Sequence, residues 1–215
     1  LLLDSTVSIN VLRHTAMLHN ILYIWNFCSN FAARTYNDGT MITTQQAIEF
    51  IHTPKAIIVN GEPVEVFHIV QKFPMFAQID LAVKDKGDEW LFTWQIDQGE
   101  KDSLRMSLHC QQYESNIGII RVDYNRGHKN PAVAPADLPG SFMPYIGKYF
   151  GARESHVHIH VSSDTRQMEW AMPIEASDIE TKSFDASSQS IEEAIQAFAK
   201  AIHITTNIKI ERSII

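Results

Sequence analysis

Three histidines alternate with aliphatic residues in the segment His156-Val157-His158-Ile159-His160. Successive side chains of a β-strand point to opposite faces, so His156, His158 and His160 should form a row on one face while Val157 and Ile159 face the core. Imidazole titrates near neutral pH, and histidines are therefore common proton carriers and metal ligands. The segment is the first candidate site of this chain.

One chemistry open to this row is metal binding. Two imidazoles at His-x-His spacing on a strand stand about 7 Å apart along the backbone and can reach one ion. With His156 and His158 as two ligands, Asp123 or His128 could complete the shell. The cofactor predicted by this hypothesis is a divalent transition metal, and the residues do not decide whether one is bound.

The same groups can act without a metal. One histidine would take a proton from a 2′-hydroxyl or from water, and another would protonate the leaving oxygen. Nearby cations would offset the charge of a phosphate group. The predicted catalytic residues are His156, His158, Asp123, Arg121 and His128, and the predicted substrate-binding residues are Arg126, Lys129 and His160.

Several of these residues can also be explained without a catalytic or metal-binding role. A histidine row on an open sheet face can be solvated, Arg121 and Asp123 can form a surface ion pair, and His128 can stabilise its loop by hydrogen bonds. Two further classes of function therefore stay open. They are a non-catalytic interaction protein (an antitoxin, an inhibitor or an effector-binding subunit) and a metal-binding protein without hydrolytic activity.

The composition of the 215-residue chain is that of an ordinary globular protein, with 45% hydrophobic and 20% charged residues. A net charge of -7 argues against a broad basic surface for nucleic acid, although it permits a small local one. Cys28 and Cys110 are too few for a disulfide framework, which fits a reducing cytoplasm. The sequence pattern of Cys110 places it in the core.

The first forty residues differ from the rest because they contain no Lys, Glu or Pro. Their apolar run from Ile21 to Cys28 is far shorter than the roughly 20 residues of a membrane span, so no membrane association is expected. We interpret residues 1–40 as an extension outside the domain, with the natural chain starting at Met41, and residues 41–215 as a single α+β domain. An amphipathic helix that caps the domain is the alternative for the first segment.

Local patterns indicate the elements that position the candidate site. Thr43 and Gln46 form a capping-box pattern that predicts a short helix ending before Pro54. Asn60-Gly61 predicts a hairpin between the apolar runs on either side of it, up to Ile69. Period-two alternation then predicts a meander of antiparallel strands over Met75–Lys84, Trp90–Asp97, Leu104–Gln111 and Ile119–Tyr124.

The meander is followed by a proline-rich excursion over residues 125–144, with a helical turn expected around Tyr145 to Tyr149. The histidine strand comes next, then a return strand over Gln167–Ile174, and then a helix with a capping box at Ser190. The predicted fold is α+β. It is a curved antiparallel sheet of six to eight strands, with a short helix before it and a C-terminal helix packed on it.

Several segments carry a resemblance to a known family: Met106-Ser107-Leu108-His109, the stretch from Arg121 to Pro131, His156-Val157-His158, and Glu169 to Ile174. Through them the chain resembles an uncharacterised family of small bacterial and phage-associated proteins, over about Met41 to Ile210. That resemblance implies a fold and a bacterial origin, and no reaction.

The order of the motifs is also similar to that of the TumE toxin family of toxin-antitoxin pairs. The shared order is Arg-x-Asp, a histidine loop and then His-x-His, and the loop His128-Lys129-Asn130-Pro131 is one residue longer than the family's His-x-Pro. Together with the histidine chemistry, this resemblance favours a site that acts on a phosphate-bearing substrate, RNA or a nucleotide, in a toxin-antitoxin or phage-defence setting, where a cognate protein partner from an adjacent gene is possible. The positions it implies are Arg121, Asp123, His128, His156 and His158.

Overall fold

The computed structural model describes residues 42–83, 91–112, 115–162, 168–180 and 184–212. Helix α1 (Thr44–His52) begins at the predicted capping box. The Thr43 hydroxyl accepts from the N–H of Gln46, and the Gln46 side chain accepts from the N–H of Thr43. The predicted short helix is confirmed, whereas the predicted extension over residues 1–40 lies outside the described residues and stays a prediction.

Strands dominate the described part of the chain. Their bounds are β1 (Lys55–Val59), β2 (Glu62–Pro63), β3 (Val66–Gln71), β4 (Met75–Val83), β5 (Leu91–Gln98), β6 (Leu104–Gln112), β7 (Ser115–Tyr124), β8 (His128–Lys129), β9 (Tyr149–Phe150), β10 (His156–Ile159), β11 (Ala171–Pro173) and β12 (Asn207–Arg212). Eight of them form one sheet in the order β11-β10-β7-β6-β5-β4-β1-β2, and neighbouring strands are antiparallel. The predicted meander is confirmed over β4 to β7, and the predicted strand ends Lys84 and Trp90 lie outside the described residues.

The predicted hairpin at Asn60-Gly61 is right at the turn and wrong beyond it. Both turn residues have positive φ, 54° and 85°, as a tight hairpin requires. Only Glu62–Pro63 pairs back onto β1, however. One residue further on, the Thr206 hydroxyl accepts from the N–H of Ile57 and donates to the carbonyl of Val64, so it replaces the next hydrogen bond of the ladder. Strand β3 instead pairs in parallel with β12 in a separate two-stranded sheet.

The second half of the chain requires three corrections to the predicted bounds. The predicted helical turn is a 3-10 helix that lies earlier, at Gly140–Tyr145. The return strand covers only Ala171–Pro173, and residues 163–167 lie outside the described residues. Helix α2 (Ser188–Ala201) has its N-cap at Ser187, three residues before the predicted N-cap Ser190, because the side chain of Ser187 accepts from the N–H of Ser190.

The two faces of the large sheet differ in chemistry. One face packs against both helices, with the Trp94 ring 6.1 Å from Phe198 of α2 and the Phe92 ring 5.2 Å from Phe50 of α1. Cys110 is fully buried, as predicted. The polar residues of the same strands lie on the opposite face. The eight-stranded antiparallel sheet and the two helices confirm the α+β prediction. No helix among the described segments has the length and apolarity that crossing a bilayer requires.

Candidate functional site

Strand register brings the predicted residues side by side on the polar face. Asp123 of β7 lies opposite Arg105 on β6 and opposite His156 on β10. Two residues earlier, Arg121 lies opposite His158. Because residues two apart in a strand share a face, these side chains converge from three adjacent strands.

The carboxylate of Asp123 is the centre of the group and is only 2% exposed. Its Oδ1 accepts from Nε of Arg105 at 2.7 Å, and its Oδ2 lies 2.8 Å from Nε of Arg121. Burial alone would raise the pKa of this carboxyl. The charges of Arg121 and Arg105 outweigh burial and hold the pKa well below its usual range.

The protonation of His158 follows from its contact with Arg121. Nη2 of Arg121 lies 2.7 Å from Nε2 of His158. A guanidinium has donors only, so Nε2 accepts this bond and carries no proton. Burial lowers the pKa of His158 to about 3, and the imidazole is therefore neutral at pH 7.

His156 presents an unused lone pair to the same carboxylate. Its Nδ1 lies 3.0 Å from the carbonyl oxygen of Glu154, which can only accept, so Nδ1 carries the proton. Its Nε2 is buried, has no hydrogen-bond partner, and lies 3.7 Å from Oδ2 of Asp123. Burial lowers the pKa of His156, although the carbonyl of Glu154 and the nearby Asp123 carboxylate oppose this lowering.

The loop histidine predicted to join this group does so. Nε2 of His128 donates to the carbonyl of Glu169 at 2.8 Å and lies 3.1 Å from Oδ1 of Asn130. Its ring centre is 4.5 Å from that of His158 and 5.6 Å from that of His156. His128 thus stabilises its loop by hydrogen bonds, as one alternative predicted, and its ring also packs against the two histidines of β10.

The histidine row is not solvated, so that alternative is wrong, and the Arg121–Asp123 pair is not a surface ion pair. His156 and His158 are both 0% exposed. The excursion after β7 folds back over them, and its β8–β9 ribbon places the ring of Phe150 4.7 Å from that of His156. We call Arg105, Arg121, Asp123, His128, His156 and His158 the Asp123 cluster.

The three remaining predicted residues are not members of the Asp123 cluster. His160 follows the last residue of β10, and its Nε2 donates to the carbonyl of Ile42 at 2.8 Å instead. Arg126 is partly exposed, with Nη2 3.9 Å from Oδ2 of Asp97. Lys129 is exposed on the β8–β9 ribbon.

Sequence reasoning missed Arg105 as a member of the cluster. Its alternation with Leu104 and Met106 showed that it faces away from the core. The register of β6 against β7, which sets Arg105 directly across from Asp123, is not visible in either strand alone.

Three atoms of the cluster could hold a metal ion. The ligand atoms of Asp123, His156 and His158 all lie within 4.8 Å of one another, and a two-histidine, one-carboxylate set suits a divalent transition metal. Arg121 already donates to the lone pair of His158 and is paired with Oδ2 of Asp123. A metal ion therefore fits only if the guanidinium first moves out of the cluster.

A model of a family of unknown function (DUF6978) matches residues 42–204 of the chain. The chain belongs to the DUF6978 family. The match confirms the predicted resemblance to an uncharacterised family, does not show the resemblance to TumE, and spans the whole Asp123 cluster. No curated protein and no solved structure matches the chain.

Proposed function

We propose that this DUF6978 protein has a histidine-dependent catalytic site that acts on a phosphate-bearing substrate, either RNA or a nucleotide. The observation that carries the proposal is the buried, unpartnered Nε2 of His156 beside the Asp123 carboxylate. Its tautomer is set by the Glu154 carbonyl, so the lone pair is available to accept a proton.

His156 is the general base in this proposal. Its Nε2 takes the proton of a 2′-hydroxyl or of water, and the freed oxygen attacks phosphorus. Asp123, whose Oδ2 lies 3.7 Å away, stabilises the imidazolium that forms. His158 cannot take this role, because its Nε2 lone pair already accepts from Arg121.

In this proposal the two arginines stabilise negative charge on the phosphoryl group, and His128 is the general acid. Arg105 and Arg121 are partly exposed, and their guanidiniums offset the charge that develops on the phosphoryl oxygens. His128 gives a proton to the leaving oxygen as its bond to phosphorus breaks. Because Nε2 of His128 donates to Glu169, the proton that leaves is one held at Nδ1.

For the biological setting, we propose a bacterial toxin-antitoxin or phage-defence system in the cytoplasm, with a cognate protein partner encoded next to this chain. The support for this setting is the order of the motifs from Arg121 to His158.

A second candidate function is a non-catalytic interaction protein. The observation that favours it is the burial of the cluster. Both imidazoles of β10 are fully buried, and each oxygen of Asp123 is paired with an arginine, as in a structural network.

Substitutions of two histidines on the polar face of the sheet distinguish the two candidate functions. His156→Gln should lower the rate of RNA or nucleotide cleavage at least 100-fold, the usual contribution of a general base. The matched control is His109→Gln, on the same sheet face, where the histidine bonds Ser107 at 2.9 Å. Its rate should be that of the unmodified protein, and circular dichroism should show both variants folded.

Cleavage that survives His156→Gln undiminished would remove the base from this proposal. An unmodified protein that cleaves none of the RNA and nucleotide substrates would contradict the catalytic proposal and favour the interaction protein.

A further inference from the structure

The excursion that covers the histidines is the basic part of an acidic protein. Residues 125–153 contain four cations against one acidic residue, Asp137, whereas the whole chain carries a net charge of -7. The cations are Arg126, Lys129, Lys148 and Arg153. A local positive field next to the Asp123 cluster attracts phosphate groups despite the overall charge.

An exposed aromatic ring accompanies these cations. Tyr149 of β9 is 66% exposed and pairs with Lys129 across the ribbon, so both side chains lie on the face opposite His128 and Phe150. Its hydroxyl lies 3.7 Å from the point where a Cβ on Gly127 would stand, so the ring extends along the ribbon towards β8. An exposed ring of this kind adds little to the core and is a suitable platform for a nucleic-acid base.

Arg126 lies in the chain between the strand of Asp123 and the ribbon that carries Tyr149. It directly precedes Gly127, and its nearest described carboxylate contact, to Asp97, is 3.9 Å and too long for a hydrogen bond. Burial lowers the pKa of Arg121, and the neighbouring charges of Arg105 and Arg126 add to that lowering. Three guanidiniums thus lie close together, with Asp123 and Asp97 as their partners.

We propose that the substrate of this site is single-stranded RNA, with one base stacked on Tyr149 and with phosphates on Arg126 and on the arginines of the Asp123 cluster. The inference rests on the proposed function. A single strand supplies several phosphates and unpaired bases at once, which matches three guanidiniums and one exposed ring. A duplex keeps its bases paired and stacked, and so leaves none for the tyrosine.

Binding is measured separately from cleavage by fluorescence anisotropy. The probe is a fluorescein-labelled oligoribonucleotide of about ten nucleotides, and all variants are made in a His156→Gln background so that the probe stays intact. Tyr149→Ala should weaken binding about ten-fold, as loss of one stacked base does, and Tyr149→Phe should bind like the parent.

The salt dependence tests the phosphate contacts. Arg126→Gln should reduce the slope of log K against log salt by about 0.7, the value for one phosphate contact with a single strand. Lys209→Gln, on strand β12 of the separate sheet, is the matched control and should leave the slope unchanged.

Three results would overturn the inference: Tyr149→Ala binds as tightly as the parent, double-stranded RNA of the same length binds as well as the single strand, or no RNA binds at low salt. These outcomes are distinct from failure of the catalytic proposal. That failure would appear as an unmodified protein that binds the probe through Tyr149 and Arg126 and never cleaves it.

Discussion

Arg121 and His158 are joined by a hydrogen bond of 2.7 Å from Nη2 to Nε2. The bond assigns different parts to two histidines that look equivalent in the sequence. It occupies the Nε2 lone pair of His158 and fixes its protonation, whereas the Nε2 lone pair of His156 stays free. The reactive histidine in our proposal is therefore His156.

The same bond predicts how the protein responds to metal ions. The unmodified protein should take up no Zn²⁺ at equimolar addition, because Arg121 covers the lone pair of His158 and pairs with Asp123. Arg121→Met removes the guanidinium and should bind one Zn²⁺, measured by elemental analysis after dialysis and by a rise in melting temperature with added Zn²⁺.

Adding His156→Gln to Arg121→Met should abolish that uptake. Equimolar Zn²⁺ retained by the unmodified protein would contradict the prediction and favour the metal-binding alternative.

Acid should destabilise the protein through its buried histidines. Burial lowers the pKa of His158 to about 3, below its unfolded value of about 6.5. Between these values the unfolded chain binds a proton that the folded chain does not, so the contribution of His158 to stability is complete above pH 6.5 and is lost as the pH decreases. One such group contributes a slope of up to about 1.4 kcal/mol per pH unit.

Urea midpoints measured from pH 7.5 to 4.5 test this slope. It should be smaller in His158→Gln than in the unmodified protein. A residual slope is expected, because burial also lowers the pKa of His156 and His109. Equal slopes in His158→Gln and the unmodified protein would be evidence against a neutral, buried His158.

Lys55 should be essential for stability although no carboxylate pairs with it among the described residues. It is 0% exposed, and its Nζ donates to the carbonyls of Ile51, Thr53 and Ile202 at the ends of both helices. Lys55→Met would leave these carbonyls without their donor and should lower the free energy of unfolding by about 2–3 kcal/mol. Urea denaturation at pH 7 measures the loss, and Lys209→Met on β12 is the control.

The charge of Lys55 adds a pH dependence of its own. Burial lowers the pKa of Lys55 to about 7, so above that pH the unfolded chain binds the additional proton and stability rises with pH. The rise should hold to about pH 8.5 and be absent in Lys55→Met. At higher pH the buried Cys110 thiol, with its pKa raised to about 12, acts in the opposite direction.

The local patterns of the sequence predicted much of this fold. The period-two alternation of β4 to β7 and the capping box at Thr43 reproduce the observed elements, because both are short-range effects of backbone geometry. The predictions failed at Pro63 and at Ser187. At those positions a distant strand and an alternative cap, respectively, determined the outcome.

For the site, local alternation was enough to predict which side chains share a face. Arg121 and Asp123 are two apart on β7, His156 and His158 are two apart on β10, and alternation places each pair opposite the core residues of its strand. Only in the folded chain do the two pairs lie across from each other, with Arg105 beside them and the excursion that carries His128 packed over them. Strand register and loop packing depend on contacts between residues far apart in the chain, and no local pattern of side chains encodes those contacts.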